Sequence, residues 1–323
     1  MKAIVYTEYG SPENLQLKEV EQPVPNDNEV LIRVHAASIN SYDLHFLRAD
    51  PLLVRVVGGF LRPKINILGE DIAGRVEAVG KDVQRFKVGD AVFGDICECG
   101  SGGFAEYVCA REEMLVAKPD SLSFEDAAAL PMAAVTALNS LQRAGQIKAG
   151  QDVLIHGASG GVGTYAVQLA KYFGANVTAV CSTRHVELVR ALGADRVIDY
   201  TQQDFTEESR RYDLILGVNG DRSLLEFRRA LKPTGIYVMA GGSNQQIFQA
   251  LLLGPLVSLF GSRKLRALAS RPNVRELSVI KELVESGKLK PVIDKRFPLA
   301  STADAFRYIE DVHAQGKVII QIA

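Results

Sequence analysis

Apolar and polar positions nearly alternate through the first third of the chain, and Gly, Pro, Asn and Asp punctuate them. KAIVYT (2–7), EVLIRVHAASI (29–39), DIAGRVEAVG (71–80), DAVFG (90–94) and FAEYVCA (104–110) therefore read as strands. From Ser123 the texture changes. SFEDAAALPMAAVTALNSLQRAG (123–145) is helical in composition and opens with Ser123 followed by acidic Glu125 and Asp126 in a first turn. Short apolar strands then alternate with helices: DVLIHGA, VGTYAVQLAKYFG, NVTAVC, HVELVRALG, RVIDY, DLILGV, SLLEFRRAL and GIYVMAG. That alternation predicts a parallel sheet covered by helices on both faces. The tail returns to the first style, with KPVIDKRFPLA, a helix through TADAFRYIEDVHAQ and a last strand KVIIQI.

Length and charge narrow the function classes. The chain has 323 residues, which suggests two domains at about 100–200 residues each. Its formal net charge is −1, so no overall field attracts nucleic acid or an acidic membrane. The basic cluster GSRKLRALASRPNVR (261–275) reads as a solvated face, since no aromatic residue is interleaved for base stacking. The four cysteines, Cys97, Cys99, Cys109 and Cys181, are too few for a disulfide scaffold and fit a reducing compartment. No signal-peptide or transit pattern opens the chain. The most apolar stretch, QALLLGPLVSLFG (249–261), is shorter than the ~20 residues of a membrane span and reads as a buried or interface segment. These features predict a cytoplasmic protein with neither nucleic-acid nor membrane partners.

The most informative stretch is DVLIHGASGGVGTYAVQLAK (152–171). An apolar strand ends at His156, a glycine-rich turn follows, and an amphipathic helix begins. Ala158, Gly160 and Gly163 have the G-x-G-x-x-G spacing, with Ala in the first place. Small residues let the backbone turn tightly and approach a pyrophosphate, which the helix N-terminus then holds. Ala158, Ser159, Gly160, Gly161, Val162 and Gly163 are thus candidate cofactor-binding residues. An NAD-selective site usually has an acid about 20 residues later, on the ribose 2′-hydroxyl. Here the next strand ends Val180, Cys181, Ser182, Thr183, with Arg184 after it. Hydroxyls and a guanidinium suit a 2′-phosphate, so Ser182, Thr183 and Arg184 predict NADPH over NADH.

Together with this turn and its AVQLAK helix, the segments RALGADRVIDY, KVGDAVFG, PMAAVTAL and GKVII make the chain resemble the medium-chain dehydrogenase/reductases, in their zinc-independent quinone oxidoreductase and enone reductase branch. The matches span nearly the whole chain. The resemblance implies an α/β fold: a Rossmann doubly wound parallel sheet at 124–287, plus a GroES-like β-barrel-type catalytic domain built from 1–123 and 288–323. It further implies a cleft between domains, bound NADPH and a homodimer. The zinc branch of the same family carries a catalytic Cys just after the VHAASI-like strand, a His in a GHE triplet, a third Cys or acid, and commonly a four-Cys loop. Here Asn40 stands at the first place, and Gly69-Glu70-Asp71 replaces the triplet. PMAAVTALNSL has no Cys, and Cys97 and Cys99 form only a C-x-C. A closed structural site takes four N or S ligands, so neither zinc site is complete and no metal is expected.

Without a Lewis acid, reduction of an isolated carbonyl is disfavoured. Hydride addition to an enone or quinone needs less, because the enolate spreads its charge and hydrogen-bond donors can hold it. The resemblance places Asn40 beside the nicotinamide, where its amide can donate to a substrate oxygen. Tyr42 and His45 are both candidate proton donors, with solvent as the third source. By the same resemblance Thr136 faces the nicotinamide side, and Tyr200 lies near the adenosine and its 2′-phosphate. Asn219, Gly241, Gly242 and Ser243 follow strand ends, where parallel-sheet ligands bind. Lys317 reads as an exposed lysine at a strand start. Adjacent residues of an extended segment face opposite ways, so Glu70 and Asp71 are not one acid–base pair. Glu70 is expected to meet a cation or hydroxyl, and Asp71 to cap or bond local backbone.

The resulting expectation is an NADPH-dependent, zinc-free reductase of a small hydrophobic quinone or α,β-unsaturated carbonyl. The alternatives are a dinucleotide-binding structural or regulatory protein with little catalysis, and a metal-free alcohol or aldehyde oxidoreductase. The apolar stretches 49–66 and 244–260 suit either a hydrophobic substrate or a dimer contact.

Overall fold

The structure, a computed structural model, describes residues 1–207, 211–218, 222–241, 262–268, 271–312 and 314–322. The chain forms two compact units, one of Met1–Ala133, Pro272–Glu285 and Pro291–Ala323, the other of Ala134–Arg271 and Ser286–Lys290. No helix among the described residues is long and apolar enough to cross a membrane.

The first unit is built on β-strands from both ends of the chain. β1 (Lys2–Val5) and β2 (Gln16–Glu19) pair antiparallel. The larger sheet contains β3 (Glu29–Ile39), β4 (Asp71–Val79), β5 (Ala91–Asp95), β6 (Tyr107–Arg111) and β7 (Leu115–Ala117). β3 buries every residue from Ala36 to Ile39, because it lies between β4 and a C-terminal strand. One core collects Ile4, Ile32, Ile39, Leu68, Phe104 and Phe306. Helices α1 (Ser41–Arg48), α2 (Val54–Gly58) and α3 (Phe124–Ala128) accompany it.

The second unit starts within α4 (Pro131–Asn139). Its strands are β8 (Asp152–His156), β9 (Asn176–Cys181), β10 (Arg196–Asp199), β11 (Tyr212–Gly217), β12 (Leu231–Met239) and β13 (Lys264–Ala267). All pair in parallel, in the order β10-β9-β8-β11-β12-β13. Counted from β8 this is 3-2-1-4-5-6, the Rossmann order. Helices α5 (Gly161–Tyr172), α6 (Val186–Ala191) and α7 (Leu224–Ala230) lie along the chain between the strands. The core holds an aromatic group in which Phe227 stacks on Tyr237 with ring centroids 4.6 Å apart, a contact worth about 1 kcal/mol beyond its burial.

The chain then returns to the first unit with α8 (Val274–Glu285), β14 (Ile293–Pro298), α9 (Thr302–Asp311) and β15 (Lys317–Gln321). β15 runs antiparallel to β3, placing Val318 opposite Ile39.

The two compact units divide at other places than 123 and 288. Phe124 stacks on His35 at 4.2 Å, and Glu125 accepts hydrogen bonds from Arg296 and Gln321, so α3 packs with the first unit. α8 also packs there, against β7. The stretch 123–145, read as helical, is divided before Pro131, whose ring and missing N–H end a preceding turn. Finally, the basic cluster at 261–275 is not simply a solvated face. Lys264–Ala267 is an edge strand of the parallel sheet, with Leu265 buried and the Arg263 and Arg266 guanidinium groups donating to backbone carbonyls.

Candidate active site

The chemistry-bearing residues of the first unit lie where three strands end. β3 runs into Asn40, which begins α1. Asp71 opens β4 directly opposite Ser38, and Lys317 opens β15. Around Asp71 these ends form a buried polar network. Oδ2 accepts from Asn40 Nδ2 at 3.0 Å and Ser38 Oγ at 3.2 Å, and pairs with Lys317 Nζ at 3.4 Å. Oδ1 accepts from the backbone N–H of Met132 at 2.9 Å, in the first turn of α4, where the helix dipole favours an anion. Burial pushes the Asp71 carboxyl above its ordinary range, against the opposing pull of Lys317, Asn40, Met132 and Ser38.

Lys317 Nζ also donates to Asn40 Oδ1. The two bonds of Asn40 fix which way its amide points: oxygen to the ammonium, nitrogen to the carboxylate. The second Nδ2–H has no acceptor among the described residues.

A second buried group lies on the other side of the extended segment. Asp43 Oδ1 accepts from Gly69 N at 2.9 Å and Oδ2 from Asn40 N at 2.8 Å, tying α1 to the start of β4. Glu70 Oε1 accepts from Ser101 Oγ at 3.0 Å, while the buried Oε2 has no hydrogen-bond partner among the described residues. Burial first, and then the Asp43 charge, hold Glu70 well above the ordinary carboxyl range. Burial raises Asp43 to about 6 and Asp95 to about 7, with the Asp71 charge adding to both. Asp95 sits directly across the β4–β5 pair from Asp71.

These contacts settle several expectations about single residues. Glu70 does meet a hydroxyl, that of Ser101. Asp71 does cap a helix, through Met132 N in the first turn of α4, but its partners are distant in sequence; sheet pairing carries it to β3, α4 and β15. Lys317 is not exposed, because β15 lies against β3 and buries its first residue beside Asn40. His45 Nδ1 lies 2.6 Å from the Asp50 carbonyl and so carries its proton there, closing the end of α1. Tyr42 is half-buried and stacked on Phe46 at 4.4 Å; burial and the Glu70 charge raise its phenol far above the ordinary value. Among the described residues, no group of three or more His, Cys, Asp and Glu is placed to hold a metal ion.

The second unit contains the glycine turn. Gly157 adopts a left-handed φ of 83°, and Ala158 is fully buried with its N–H bonded to the Val180 carbonyl at 3.0 Å. The glycines at 160 and 163 serve different needs. A Cβ on Gly163 would lie 2.1 Å from the Gly157 carbonyl oxygen, so only glycine lets the helix sit against the turn. A Cβ on Gly160 would have only that oxygen near it, at 3.6 Å, and would fill open space in front of the turn. Gly160 is the N-cap of α5 and supplies no capping side chain. The N–H groups of Gly161, Val162 and Gly163 are therefore those left for an anion. This cradle fits a dinucleotide pyrophosphate.

Beside it, His185 Nδ1 lies 3.0 Å from Ser159 Oγ and 3.4 Å from Ser182 Oγ, linking the turn to the end of β9. Sequence reasoning missed His185, although its place three residues after Ser182 brings it back over that hydroxyl. Arg184 is exposed, with no partner among the described residues, and the Tyr200 ring is half exposed. Thr183 Oγ1 donates to Asp199 Oδ2 at 2.5 Å. A carboxylate thus reaches this corner from β10, although the end of β9 has none. Asp199 also accepts from Thr201 N, Thr201 Oγ1 and Gln202 Nε2. Thr136 is buried in α4, its carbonyl accepting from Ser140 Oγ at 2.7 Å. Gly241 follows β12, and a Cβ there would lie 2.3 Å from the Val218 carbonyl oxygen. Asn219, Gly242 and Ser243 lie outside the described residues.

Comparison with known proteins agrees with both units. The family described as alcohol dehydrogenase GroES-like domain matches residues 26–120, and the family described as zinc-binding dehydrogenase matches 192–320. The chain is 33% identical to a chloroplast envelope quinone oxidoreductase homolog of Arabidopsis thaliana, over 99% of this chain and 98% of the relative. It is 37% identical to a 2-methylene-furan-3-one reductase of Solanum lycopersicum, over 99% of this chain and 79% of the relative. A solved quinone oxidoreductase from Coxiella burnetii superposes with a TM-score of 0.90 at 32% identity, covering 100% of this chain and 99% of the other. With a GroES-like unit, a Rossmann unit and full-length relatives of this kind, the chain belongs to the medium-chain dehydrogenase/reductase superfamily of oxidoreductases.

Proposed function

We propose that this protein is an NADPH-dependent reductase of quinones or α,β-unsaturated carbonyls that works without zinc. The observation that carries the reading is the network of Asn40, Asp71 and Lys317. A zinc ion wants thiolate, imidazole or carboxylate donors facing a common point. Here the amide oxygen of Asn40 already faces an ammonium, and Glu70 Oε1 is tied to Ser101. The donor set does not fit zinc, so no step is routed through a metal. What the network offers is an oriented amide N–H backed by a buried cation, a preorganised donor for a developing oxyanion.

NADPH held at the glycine turn would supply a hydride for the conjugated carbon of the substrate. Asn40 Nδ2–H then stabilises the enolate or hydroquinone oxygen. Solvent delivers the proton. His45 Nδ1–H is engaged with Asp50, and the raised Tyr42 phenol is a poor acid. The Gly160 cradle holds the pyrophosphate, and the unpaired Arg184 takes the 2′-phosphate. The Asp199 carboxylate, already held by four neutral donors, opposes that phosphate, and the Arg184 guanidinium supplies the compensating charge. The names of the quinone and enone reductases among the relatives support this substrate class.

The test is NADPH oxidation with a panel of quinones and enones, with chelator present throughout. Turnover on this panel, unaffected by chelator, is expected. Turnover confined to simple alcohols or aldehydes and abolished by chelator overturns the reading. Tight cofactor binding with no turnover points instead to a dinucleotide-binding regulator.

A further inference from the structure

The segment after α1 has a surface that the site does not use. Leu52, Leu53, Val56, Val57, Phe60 and Leu61 lie within ten consecutive residues and are each 66–83% exposed. Leu53, Val56 and Val57 follow the i, i+3, i+4 spacing of one helical face at α2, and Phe60 and Leu61 continue the apolar run just beyond its end at Gly58.

The segment is not a loose strand of chain. Val54 and Ile65 pack on the core, and Gly58 is buried against Phe46 and the Tyr9 hydroxyl. Tyr9 Oη donates to the Gly59 carbonyl at 2.7 Å, and Lys64 N donates to the Gly58 carbonyl at 2.7 Å. The inner side is anchored, and the six apolar side chains project outward from it.

The rim of the patch is cationic. Arg62 and Lys64 are exposed and half-buried Arg55 lies over the Tyr9 ring, while Asp50 is the only acid between Ala49 and Asn66. A second copy meeting this face about a twofold axis would bring the two cationic rims together, which like-charge repulsion disfavours. An anionic lipid surface satisfies both parts at once, with acyl chains for the apolar residues and headgroup phosphates for the cations.

We infer that residues 52–64 form a peripheral docking surface for an anionic phospholipid bilayer. This revises the sequence-based expectation that the protein has no membrane partner. Net charge describes the whole chain, whereas membrane docking is decided by one patch.

The inference stands on this surface and not on the reductase reading, and its test involves no turnover. The full-length protein is co-sedimented with phosphatidylcholine vesicles, with or without phosphatidylglycerol. It is expected to pellet with the phosphatidylglycerol vesicles, and less so as salt is raised, because exposed charges are screened. Phe60→Ser with Leu61→Ser should weaken binding about tenfold or more. Arg62→Glu with Lys64→Glu should remove the salt-sensitive part. Circular dichroism checks that both surface variants remain folded. Three results overturn the inference: no binding of the parent protein to phosphatidylglycerol vesicles, binding unchanged in both variants, or a dimer in solution that Phe60→Ser with Leu61→Ser converts to monomer.

Discussion

At the scale of single residues, the Asp71–Lys317 pair carries the sharpest consequences. Each charge is buried, so removing one strands the other. Asp71→Asn and Lys317→Met should each destabilise the fold by about 3–5 kcal/mol. The double variant should recover much of that loss, and chemical denaturation of all four proteins measures the coupling. Asn40 is half-buried and contributes a donor rather than core packing. Asn40→Ala should lower kcat about 100-fold on a quinone substrate, with a much smaller change in stability. At the end of β9, Arg184→Ala should lower the proposed preference for NADPH over NADH by about tenfold or more. The ratio of the two kcat/KM values reads this directly, since one charge-assisted contact is worth about 1.5–3 kcal/mol.

At the scale of elements, the β8–α5 turn separates two reasons for being glycine. Gly163 is required by the fold, with the Gly157 carbonyl in the way of any side chain. Gly163→Ala should therefore destabilise by more than about 2 kcal/mol, read from the shift of the denaturation midpoint. Nothing in the fold requires glycine at 160, where a Cβ would have only the Gly157 carbonyl oxygen near it, at 3.6 Å. Gly160→Ala should leave the midpoint within about 0.5–1 kcal/mol of the parent protein yet weaken NADPH binding about tenfold or more, as titration calorimetry would show. Equal loss of stability in both variants would refute the distinction. The same turn shows what the sequence made legible at this scale. Strand, glycine turn and helix can be read in order because each is specified locally. β13 was not legible as a strand, since its Lys-Leu-Arg-Ala run is short and charged, and only pairing with β12 gives it regular structure.

At the scale of the whole molecule, the buried acids give stability a pH dependence. Asp43 and Asp95 titrate in the folded protein at about 6 and about 7, above their value of 3.8 in model compounds. Between those limits the folded chain holds protons that the unfolded chain releases. The stability contributed by these acids is therefore complete below about pH 4 and is lost as pH rises through about 6–7. Asp95→Asn should change little at pH 4 and raise stability at pH 8 by about 2 kcal/mol, since it removes a desolvated charge. Denaturation midpoints of the parent and variant across pH 4–8 check the sign. The amide oxygen can still accept from Cys97 N, so the local turn is retained.

The amino-acid sequence by itself determined the alternation of strands and helices, the phosphate cradle and the lack of a Cys and His set for zinc. All three depend on neighbours a few residues apart, whose spacing is written along the chain. Only the tertiary structure decided what Asp71 and Lys317 do. They are 246 residues apart, and the register of β4 and β15 against β3 puts them in contact. It likewise decided that Asp199 meets Thr183, by laying β10 beside β9, and that the apolar residues from Leu52 to Leu61 face outward. Burial and long-range pairing are properties of the packed molecule, and no local pattern in the sequence contains them.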